Sequence, residues 1–318
     1  MEKPKVLLMG ARRAGKSSIQ KVVFHKMSPH ETLFLEATNK LVKNDIANSS
    51  FAHFEVWDFP GHVDTSSQII KPEITFAGRG ALIWVLDAQG DHAEALSRLI
   101  STIATAHAVN LNIVFEVFVH KIDSFSEDQR MEALREIQNH LSEELAAARL
   151  GGVKINFHLT SIYDHSVFEA FSKVVQQLMP QLPTLEHLLD TLVSSCRIEK
   201  AFLFDIVSKI YIATDSSPVD MQSYELCADM IDVVIDVSCI YGSREGDDEN
   251  LSVHSSVPAA ESNCVITLND GNALFLREVN RSLALVCILK DTVLEQQGLL
   301  EYNCTCFLNA LNLLFERK

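Results

Sequence analysis

The sequence predicts an α/β fold in which a doubly wound domain with a parallel sheet is followed by a smaller α+β domain. Over residues 1–180, short apolar runs alternate with longer amphipathic segments, which is the βαβ alternation of a doubly wound fold. Pro180 and Pro183 interrupt the chain after the last of these segments. Over residues 181–318, predicted strands follow one another directly and helices flank them, which is typical of an antiparallel sheet.

Five runs in the first domain are short and apolar enough for strands covered on both faces: Lys5–Met9, Phe51–Trp57, Ala81–Leu86, Ile113–Val119 and Ile155–Leu159. Four longer segments are predicted helices: Lys16–Lys26, His92–Ala108, Glu127–Leu150 and Ser166–Leu178. In the third helix, apolar residues recur every three or four positions and predict one buried face: Met131, Leu134, Ile137, Leu141 and Leu145.

A linker is predicted at Met179–Pro183, because two prolines three residues apart cannot continue the preceding helix. The second domain then has the order α-β-β-α-β-β-β-α: Thr184–Ser194, Ala201–Ser208, Lys209–Thr214, Val219–Tyr241, Cys264–Leu268, Ala273–Arg277, Ser282–Leu289 and Leu294–Phe315. Met230, Val234 and Val237 should share the buried face of its long central helix. The polar, acidic segment Gly242–Asn263 is expected to be a solvated loop.

Composition restricts the possible functions. The 318 residues carry 27 Lys and Arg against 42 Asp and Glu, a net charge of −15. Nucleic acid and anionic lipid are therefore not expected as main partners, since both bind basic surfaces. The seven cysteines are odd in number and form no CxxC pair, which favours reduced thiols of a cytoplasmic protein. No apolar stretch could span a bilayer and no signal sequence is seen, so no direct membrane insertion is expected.

Residues 10–17 have the sequence Gly-Ala-Arg-Arg-Ala-Gly-Lys-Ser, which fits G-x-x-x-x-G-K-[ST] between a predicted strand and a predicted helix. Here glycines let successive N–H groups point at phosphate oxygens, and the helix N-terminus favours the anion. Lys16 would contact the β- and γ-phosphates and Ser17 would bind Mg²⁺. The alternative, an ordinary glycine-bearing turn, does not account for the strand–loop–helix context. The expected phosphate contacts are Gly10, Arg12, Arg13, Ala14, Gly15, Lys16, Ser17 and Ser18.

A second group of residues is expected around a magnesium ion and the terminal phosphate. Asp58 ends a predicted strand, and taken alone it would belong to an ordinary turn. Because it follows the glycine-rich loop by about forty residues, it predicts a metal-holding carboxylate, and Gly61 predicts an N–H that contacts the γ-phosphate. In the triphosphate state, Thr38 or Thr32 should complete the Mg²⁺ shell, and Thr38 is preferred because Thr32 lies closer to the preceding helix. The expected metal ligands are Ser17, Thr38 and Asp58.

A base-binding group is predicted where two later strands end. A carboxylate at Asp123 can accept hydrogen bonds from N1–H and the 2-amino group of guanine, a pair of donors that adenine lacks. Lys121 would lie along the base, and backbone N–H groups after the last strand would support its oxygen. A lysine–aspartate pair is common by itself, but the order and spacing of four such elements predict a guanine-nucleotide domain. The expected base contacts are His120, Lys121, Asp123, Ser161 and Ile162.

With these motifs, the chain resembles the Rag family of small GTPases, and more narrowly its C/D type. The resemblance extends over nearly the whole chain and is carried by Gly15–Pro29, Val56–Gly61, His120–Asp123, Leu159–Ser166 and Ala213–Met221. It implies a P-loop GTPase domain that binds Mg²⁺ with GTP or GDP, followed by a roadblock/longin-like dimerisation domain.

The resemblance also implies partners. A C/D-type member pairs through its C-terminal domain with an A/B-type Rag GTPase, and the Ragulator complex holds this heterodimer on the lysosomal surface. In response to amino acids the pair recruits the mTOR kinase complex through Raptor, with GTP on the A/B subunit and GDP on the C/D subunit. The folliculin complex is the implied GTPase activator for the C/D side.

Two departures from the family pattern leave alternatives open. His62 stands where the family has the glutamine that orients the attacking water, so His62 is either the catalytic residue or a substitution that lowers an already slow rate. The segment Val63–Pro72 lacks the aromatic, acidic character of a C/D-type switch II. His120 stands where the usual base-reading motif has asparagine, and histidine at this position is the C/D form.

Two alternatives to a GTPase switch stay open for the chain as a whole. One is an inert GDP-binding scaffold that acts only through its partners, and the other, less favoured, is a P-loop enzyme that uses ATP.

Overall fold

The structure is a computed structural model that describes residues 3–46, 54–61, 71–90, 92–241, 263–280 and 282–316. Its contacts divide the chain into two compact units, Met1–Pro180 and Gln181–Lys318. The boundary falls within the segment from which the sequence predicts a linker, and each unit has its own sheet.

The first unit contains a six-stranded sheet. Its strands are β1 (Lys5–Gly10), β2 (Val42–Ile46), β3 (Phe54–Asp58), β4 (Gly80–Asp87), β5 (Val114–His120) and β6 (Ile155–Thr160). Its helices are α1 (Lys16–His25), α2 (Pro72–Thr75), α3 (Ala93–Val109), α4 (Glu127–Ala147) and α5 (Ser166–Gln177), with 3₁₀ turns at Pro29–Phe34 and Ile122–Ser124. The strand order is β2-β3-β1-β4-β5-β6, and all pairs are parallel except β2–β3. The predicted α/β fold is confirmed.

Helices cover both faces of this sheet. Along β5, Val117 and Val119 belong to the apolar core that also contains buried residues of α3 and α4. Phe118, between them, packs edge to face against Phe171 of α5, with ring centroids 5.4 Å apart. Because neighbouring residues of a strand point to opposite faces, α5 lies across the sheet from α3 and α4. This double cover explains why the predicted strands are apolar throughout.

Two local features of the first unit differ from the sequence predictions, and a third prediction falls partly outside the described residues. The strand β2 is missed because Val42–Ile46 is polar, and it forms by antiparallel pairing along the outer edge of β3. Met131 is 44% exposed and does not join the buried face of α4. That face consists of Ile137, Leu141 and Leu145, with Leu134 partly buried. The predicted strand start at Phe51 lies outside the described residues, and β3 begins at Phe54.

The parallel strands end at one edge of the sheet, where each of the predicted motifs begins. β1 ends at Gly10, β3 at Asp58, β5 at His120 and β6 at Thr160. The strand register pairs Asp58 with Leu8 and His120 with Thr160, so these ends are neighbours. Ligands of doubly wound folds bind at this carboxyl edge. The topology therefore brings the predicted phosphate, metal and base groups to one place.

The second unit is built on a five-stranded antiparallel sheet with the order β8-β7-β11-β10-β9. Its described elements are α6 (Leu182–Cys196), β7 (Ile198–Asp205), β8 (Tyr211–Thr214), α7 (Met221–Tyr241), β9 (Asn263–Thr267), β10 (Asn272–Asn280), β11 (Leu283–Lys290), a 3₁₀ turn (Asp291–Gln296) and α8 (Gln297–Glu316). This is the predicted α-β-β-α-β-β-β-α order, and the α+β fold is confirmed. Of the helices described in either unit, none is long and apolar enough to cross a membrane.

Two features of the second unit differ from the predictions. Pro183 lies in the first turn of α6, where a missing N–H costs nothing, so the predicted linker is cut short by the helix. On α7, Met230 is buried and Val234 is partly buried, but Val237 is 49% exposed. The predicted loop Gly242–Asn263 lies outside the described residues, except that Asn263 begins β9.

Candidate functional site

The loop of residues 10–17, the P-loop, joins β1 to α1 and requires glycine at two positions. Gly10 has φ +135°, and a Cβ built on it would lie 2.3 Å from the backbone oxygen of Val85. Gly15 has φ +102°, and its Cβ would lie 2.6 Å from the ring of His120. The backbone conformation and the lack of space both exclude a side chain. The loop is thus pressed against the ends of β4 and β5.

Lys16 is a buried cation at the start of α1. It is 6% exposed, and its Nζ donates to the carbonyl oxygens of Gly10 at 3.0 Å and Ala11 at 2.8 Å. Burial lowers the pKa of Lys16 to about 8; the charge of Asp58 opposes this shift and that of Arg98 adds to it. Lys16 therefore stays mostly charged at pH 7. Phosphate oxygens would be stronger partners for this ammonium group than the two carbonyls.

Ser17, Thr38 and Asp58 come together beside the P-loop. Ser17 Oγ donates to Asp58 Oδ2 at 2.5 Å, and Thr38 Oγ1 lies 2.7 Å from Ser17 Oγ. Thr38 Oγ1 also approaches the same carboxylate oxygen at 3.5 Å. The hydroxyl of Thr32 instead donates to the carbonyl of Pro29 at 2.7 Å. The structure thus places Thr38, and not Thr32, with the other two expected metal ligands.

This oxygen cluster has the chemistry of a magnesium site. Asp58 is 2% exposed, and within the described residues its Oδ1 is buried without a hydrogen-bond partner. Burial raises the pKa of Asp58, although the hydrogen bond from Ser17 and the charge of Lys16 oppose the shift. A cation would offset the cost of burying the charged carboxylate, and Mg²⁺ prefers oxygen ligands of this kind. Among the described residues, no group of three or more His, Cys, Asp or Glu side chains could hold a metal ion.

A cavity of about 970 Å³ opens beside the P-loop in the first unit. Its volume is in the range of small-molecule and cofactor sites. Most residues that the sequence singles out line it: Arg12, Arg13, Gly15, Lys16, Ser17, Ser18, Thr38, Gly61, His120, Lys121, Asp123 and Ile162. Four others are not lining residues: Gly10, Ala14, Asp58 and Ser161. The phosphate, metal and base groups therefore surround one space.

Lys121 connects three strand ends. Its Nζ donates to the carbonyl oxygen of Arg13 at 2.8 Å and to Asp87 Oδ2 at 2.5 Å. Its backbone is left-handed, with φ +65°, which turns the chain sharply after β5. Through this one side chain, the P-loop, the end of β4 and the loop after β5 are held in fixed relation.

Asp123 is oriented by Ser161. The hydroxyl of Ser161 donates to Asp123 Oδ1 at 2.9 Å. The backbone N–H of Ser161 donates to Ser166 Oγ at 2.8 Å, which differs from the expectation that it supports a base oxygen. Ser161 acts instead as a support for the carboxylate, while Ile162 lines the cavity.

His120 supports the P-loop from the end of β5. It is 1% exposed, and its Nδ1 lies 3.0 Å from Thr160 Oγ1. Burial lowers the pKa of His120 to about 4, so the ring is neutral at pH 7. Its ring occupies the space that a side chain at Gly15 would need. Its contacts are thus with the P-loop and β6, although it also lines the cavity where the sequence predicts a guanine contact.

Comparison with known proteins decides the family. The protein-family model described as "Gtr1/RagA G protein conserved region" matches residues 5–231 of the chain. The chain belongs to the Gtr1/RagA family. Ras-related GTP-binding protein C of Mus musculus is 59% identical over 99% of this chain and 77% of its own length. Ras-related GTP-binding protein D of Mus musculus is 55% identical, over 99% and 69%. GTP-binding protein gtr2 of Schizosaccharomyces pombe is 51% identical, over 99% of both.

The predicted resemblance to the Rag family, C/D type, is therefore confirmed, and membership of the Gtr1/RagA family implies GTPase activity in general. Among solved structures, Myxococcus xanthus MglB matches 43% of this chain and 92% of its own, at 16% identity and a TM-score of 0.32. That likeness is too weak to carry an argument.

His62 and the switch-II segment up to Ile70 lie outside the described residues, so their predicted roles stay predictions.

The sequence does not predict the contact of Arg98 of α3, whose Nη1 donates to the carbonyl oxygen of Gly61 at 3.2 Å. A single arginine in an amphipathic helix belongs to no motif, so the sequence carries no signal for it.

The buried neutral ring of His120 predicts a pH-dependent stability of the first unit. The pKa of His120 is lowered from 6.5 to about 4, so between these values the unfolded chain binds the proton more readily. Its contribution to stability is present above about pH 6.5 and is lost as the pH falls to about 4. A shift of this size corresponds to about 3 kcal/mol. The variant His120→Asn should lack this part of the pH dependence.

Urea unfolding at several pH values measures the effect. The two tryptophans of the chain, Trp57 and Trp84, are buried in the first unit, so their fluorescence reports its unfolding. The variant His25→Asn, at an exposed histidine of the same unit, is the matched control for the loss of a histidine side chain. Equal pH dependence in His120→Asn and the wild type would contradict the prediction.

Proposed function

We propose that this chain is a magnesium-dependent guanine-nucleotide switch of the C/D type, which hydrolyses GTP slowly and acts by binding partners. The observation that carries the proposal is the convergence of Ser17, Thr38 and Asp58 beside the buried ammonium of Lys16. Asp123 lines the same cavity. The relatives of C, D and gtr2 type are named GTP-binding proteins, which supports the same nucleotide here.

On the phosphate side, the residues have separate tasks. The ammonium of Lys16 and the backbone N–H groups of the P-loop would bind the β- and γ-phosphates. Ser17, Thr38 and Asp58 would hold Mg²⁺, which when bound neutralises charge on these phosphates. The N–H of Gly61 would contact the terminal phosphate. Arg12 and Arg13 line the cavity and add positive charge to a chain that is acidic overall.

On the base side, Asp123 would distinguish guanine from adenine. Its carboxylate would accept hydrogen bonds from N1–H and the 2-amino group, and the Ser161 hydroxyl holds it in place. Adenine would leave the carboxylate unpaired, which is costly when the base is bound. Lys121, fixed by Arg13 and Asp87, would lie along the base.

The variant Asp123→Asn tests the base specificity. The amide presents a donor in place of a carboxylate oxygen, so affinity for GDP should fall by about a hundredfold, as expected for the loss of charge-assisted hydrogen bonds. Xanthosine diphosphate, with an oxygen in place of the 2-amino group, should gain affinity. Competition against a fluorescent GDP measures both effects.

Asp128→Asn, at an exposed position in the first turn of α4, is the matched control and should bind GDP normally. Unchanged GDP affinity in Asp123→Asn would refute the role of Asp123. Equal competition by ADP and GDP in the wild type would favour the ATP-using alternative.

Single-turnover hydrolysis separates the switch from an inert GDP-binding scaffold. The wild type should convert bound GTP at roughly 10⁻⁴–10⁻² per second, the range of unaided hydrolysis in such domains. His62→Gln should keep this turnover, because glutamine can orient water, and His62→Ala should lower it by about tenfold or more. No turnover in any of the three, with or without an activating protein, would favour the scaffold.

An apolar stripe on α7 supports pairing through the second unit. Val233 and Val237 are each 49% exposed and Ile240 is 70% exposed. Their spacing of four and three residues places them on one side of the helix. Tyr302 of α8 is 68% exposed. We propose that the α7 stripe belongs to the face on which an A/B-type Rag GTPase binds, because exposed apolar patches mark interaction sites.

The remaining partners are proposed from the family. The heterodimer would be held on the lysosomal surface by Ragulator and would relay amino-acid sufficiency to the mTOR kinase complex through Raptor. The folliculin complex would be its GTPase activator. Nucleic acid is not proposed as a partner, since the net charge is −15.

Coexpression with an A/B-type relative tests the pairing. Light scattering after size-exclusion chromatography should show a one-to-one heterodimer for the wild type. Val237→Glu should reduce its yield, because it places a charge in the apolar stripe. Val109→Glu, at a 40% exposed valine that ends α3 in the first unit, should pair normally. A stable wild-type monomer in the presence of the relative would contradict the proposal.

A further inference from the structure

Arg98 of α3 contacts the nucleotide site from outside every sequence motif. Its Nη1 donates to the carbonyl oxygen of Gly61 at 3.2 Å, and its side chain is partly buried. Its charge also contributes to the lowered pKa of Lys16, after the larger effect of burial. The guanidinium of Arg98 is therefore close enough for its charge to act on the ammonium group of Lys16, although Arg98 does not line the cavity itself.

Gly61 is held closely against the P-loop. It is buried, and a Cβ built on it would lie 2.5 Å from the backbone nitrogen of Arg12. Two residues earlier, the N–H of Phe59 donates to the carbonyl of Leu8 at 3.0 Å, and Phe59 is 2% exposed. The end of β3 thus brings the backbone of Gly61 against the P-loop, where no larger residue fits.

The hydrogen bond from Arg98 restrains the carbonyl group of Gly61, in addition to the packing of Gly61 against the P-loop. Glycine has the widest choice of backbone conformations, so its N–H keeps one direction only if neighbouring groups restrain it. The guanidinium fixes the carbonyl of Gly61 with a hydrogen bond from a charged donor, which is stronger than a neutral one. Rotation about the backbone bonds of Gly61 would break this bond.

We propose that Arg98 is a positioning residue for the terminal phosphate: it holds the carbonyl of Gly61 so that the Gly61 N–H stays directed at the γ-phosphate, and it thereby favours GTP over GDP. The inference rests on the proposed function, since it presupposes guanine nucleotide in the cavity. GDP lacks the phosphate that Gly61 would contact, so its binding should depend little on Arg98. The charge of Arg98 acts in the same direction, because GTP brings more negative charge than GDP.

Equilibrium titration of the full-length chain with a fluorescent, non-hydrolysable GTP analogue and with fluorescent GDP, both with Mg²⁺, tests this role. Arg98→Met should lower the affinity for the analogue by about tenfold, the loss expected for one charge-assisted hydrogen bond. Affinity for GDP should change by less than about twofold, within the scatter of a neutral substitution. Arg98→Lys keeps the positive charge but lacks the planar guanidinium group, so it should restore only part of the preference for the GTP analogue over GDP.

Arg135→Met changes an exposed arginine of α4 and should bind both nucleotides as the wild type does. Retained GDP binding shows that Arg98→Met is folded; if it does not fold, Arg98→Gln gives the same comparison. Equal losses for the analogue and GDP, or no loss for either, would overturn the inference and leave the proposed function intact. A wild type that binds neither nucleotide would overturn both.

Discussion

The architecture of the site depends on one buried carboxylate. Asp58 is 2% exposed, and one of its oxygens is bound by Ser17 while the other has no partner among the described residues. A carboxylate this deeply buried stays charged only if hydrogen-bond donors or a cation replace the water that it loses. Ser17 comes from the start of α1, and Thr38 comes from the segment that precedes β2. Their contacts with Asp58 therefore define how three separate parts of the chain meet.

The order of the sheet makes this meeting possible. β1 lies between β3 and β4, so the P-loop leaves the sheet with Asp58 on one side and Val85 on the other. The loops at the carboxyl edge also support one another. His120 fills the space against Gly15, and Lys121 binds the carbonyl of Arg13. The loops proposed for the base and for the phosphates are consequently in contact, and a change in either loop should be transmitted to the other.

Most of the fold could be predicted from the sequence, because strands covered on both faces are apolar throughout and the helices between them keep one apolar side. The strand β2 could not be predicted, since Val42–Ile46 has no apolar pattern and forms a strand only through pairing with β3. Val237 shows the opposite case, a residue that fits the apolar pattern but is not buried. Its position in the pattern indicates a buried residue, but the side chain is 49% exposed, because the apolar pattern of a helix does not tell which of its positions the fold covers.

The candidate site shows the same division. The meeting of the P-loop, Asp58 and Thr38 could be expected from the order and spacing of their motifs, and distance from α1 favours Thr38 over Thr32. The roles of these residues and of Asp123 toward a nucleotide stay predictions. Partners that depend on local geometry could not be predicted. The N–H of Ser161 is bonded to Ser166 Oγ, and Arg98 reaches Gly61 from a helix whose pattern reports only its buried face.

We propose that Ser17, Thr38 and Asp58 hold a magnesium ion together with the phosphates of a guanine nucleotide. The most direct test is the rate at which GDP leaves the full-length wild-type chain, measured in excess Mg²⁺ and again after chelation with EDTA. Because Ser17 and Asp58 would then lose the cation that joins them to the phosphates of GDP, chelation should speed release by about tenfold or more. Equal release rates in the two conditions would contradict the account.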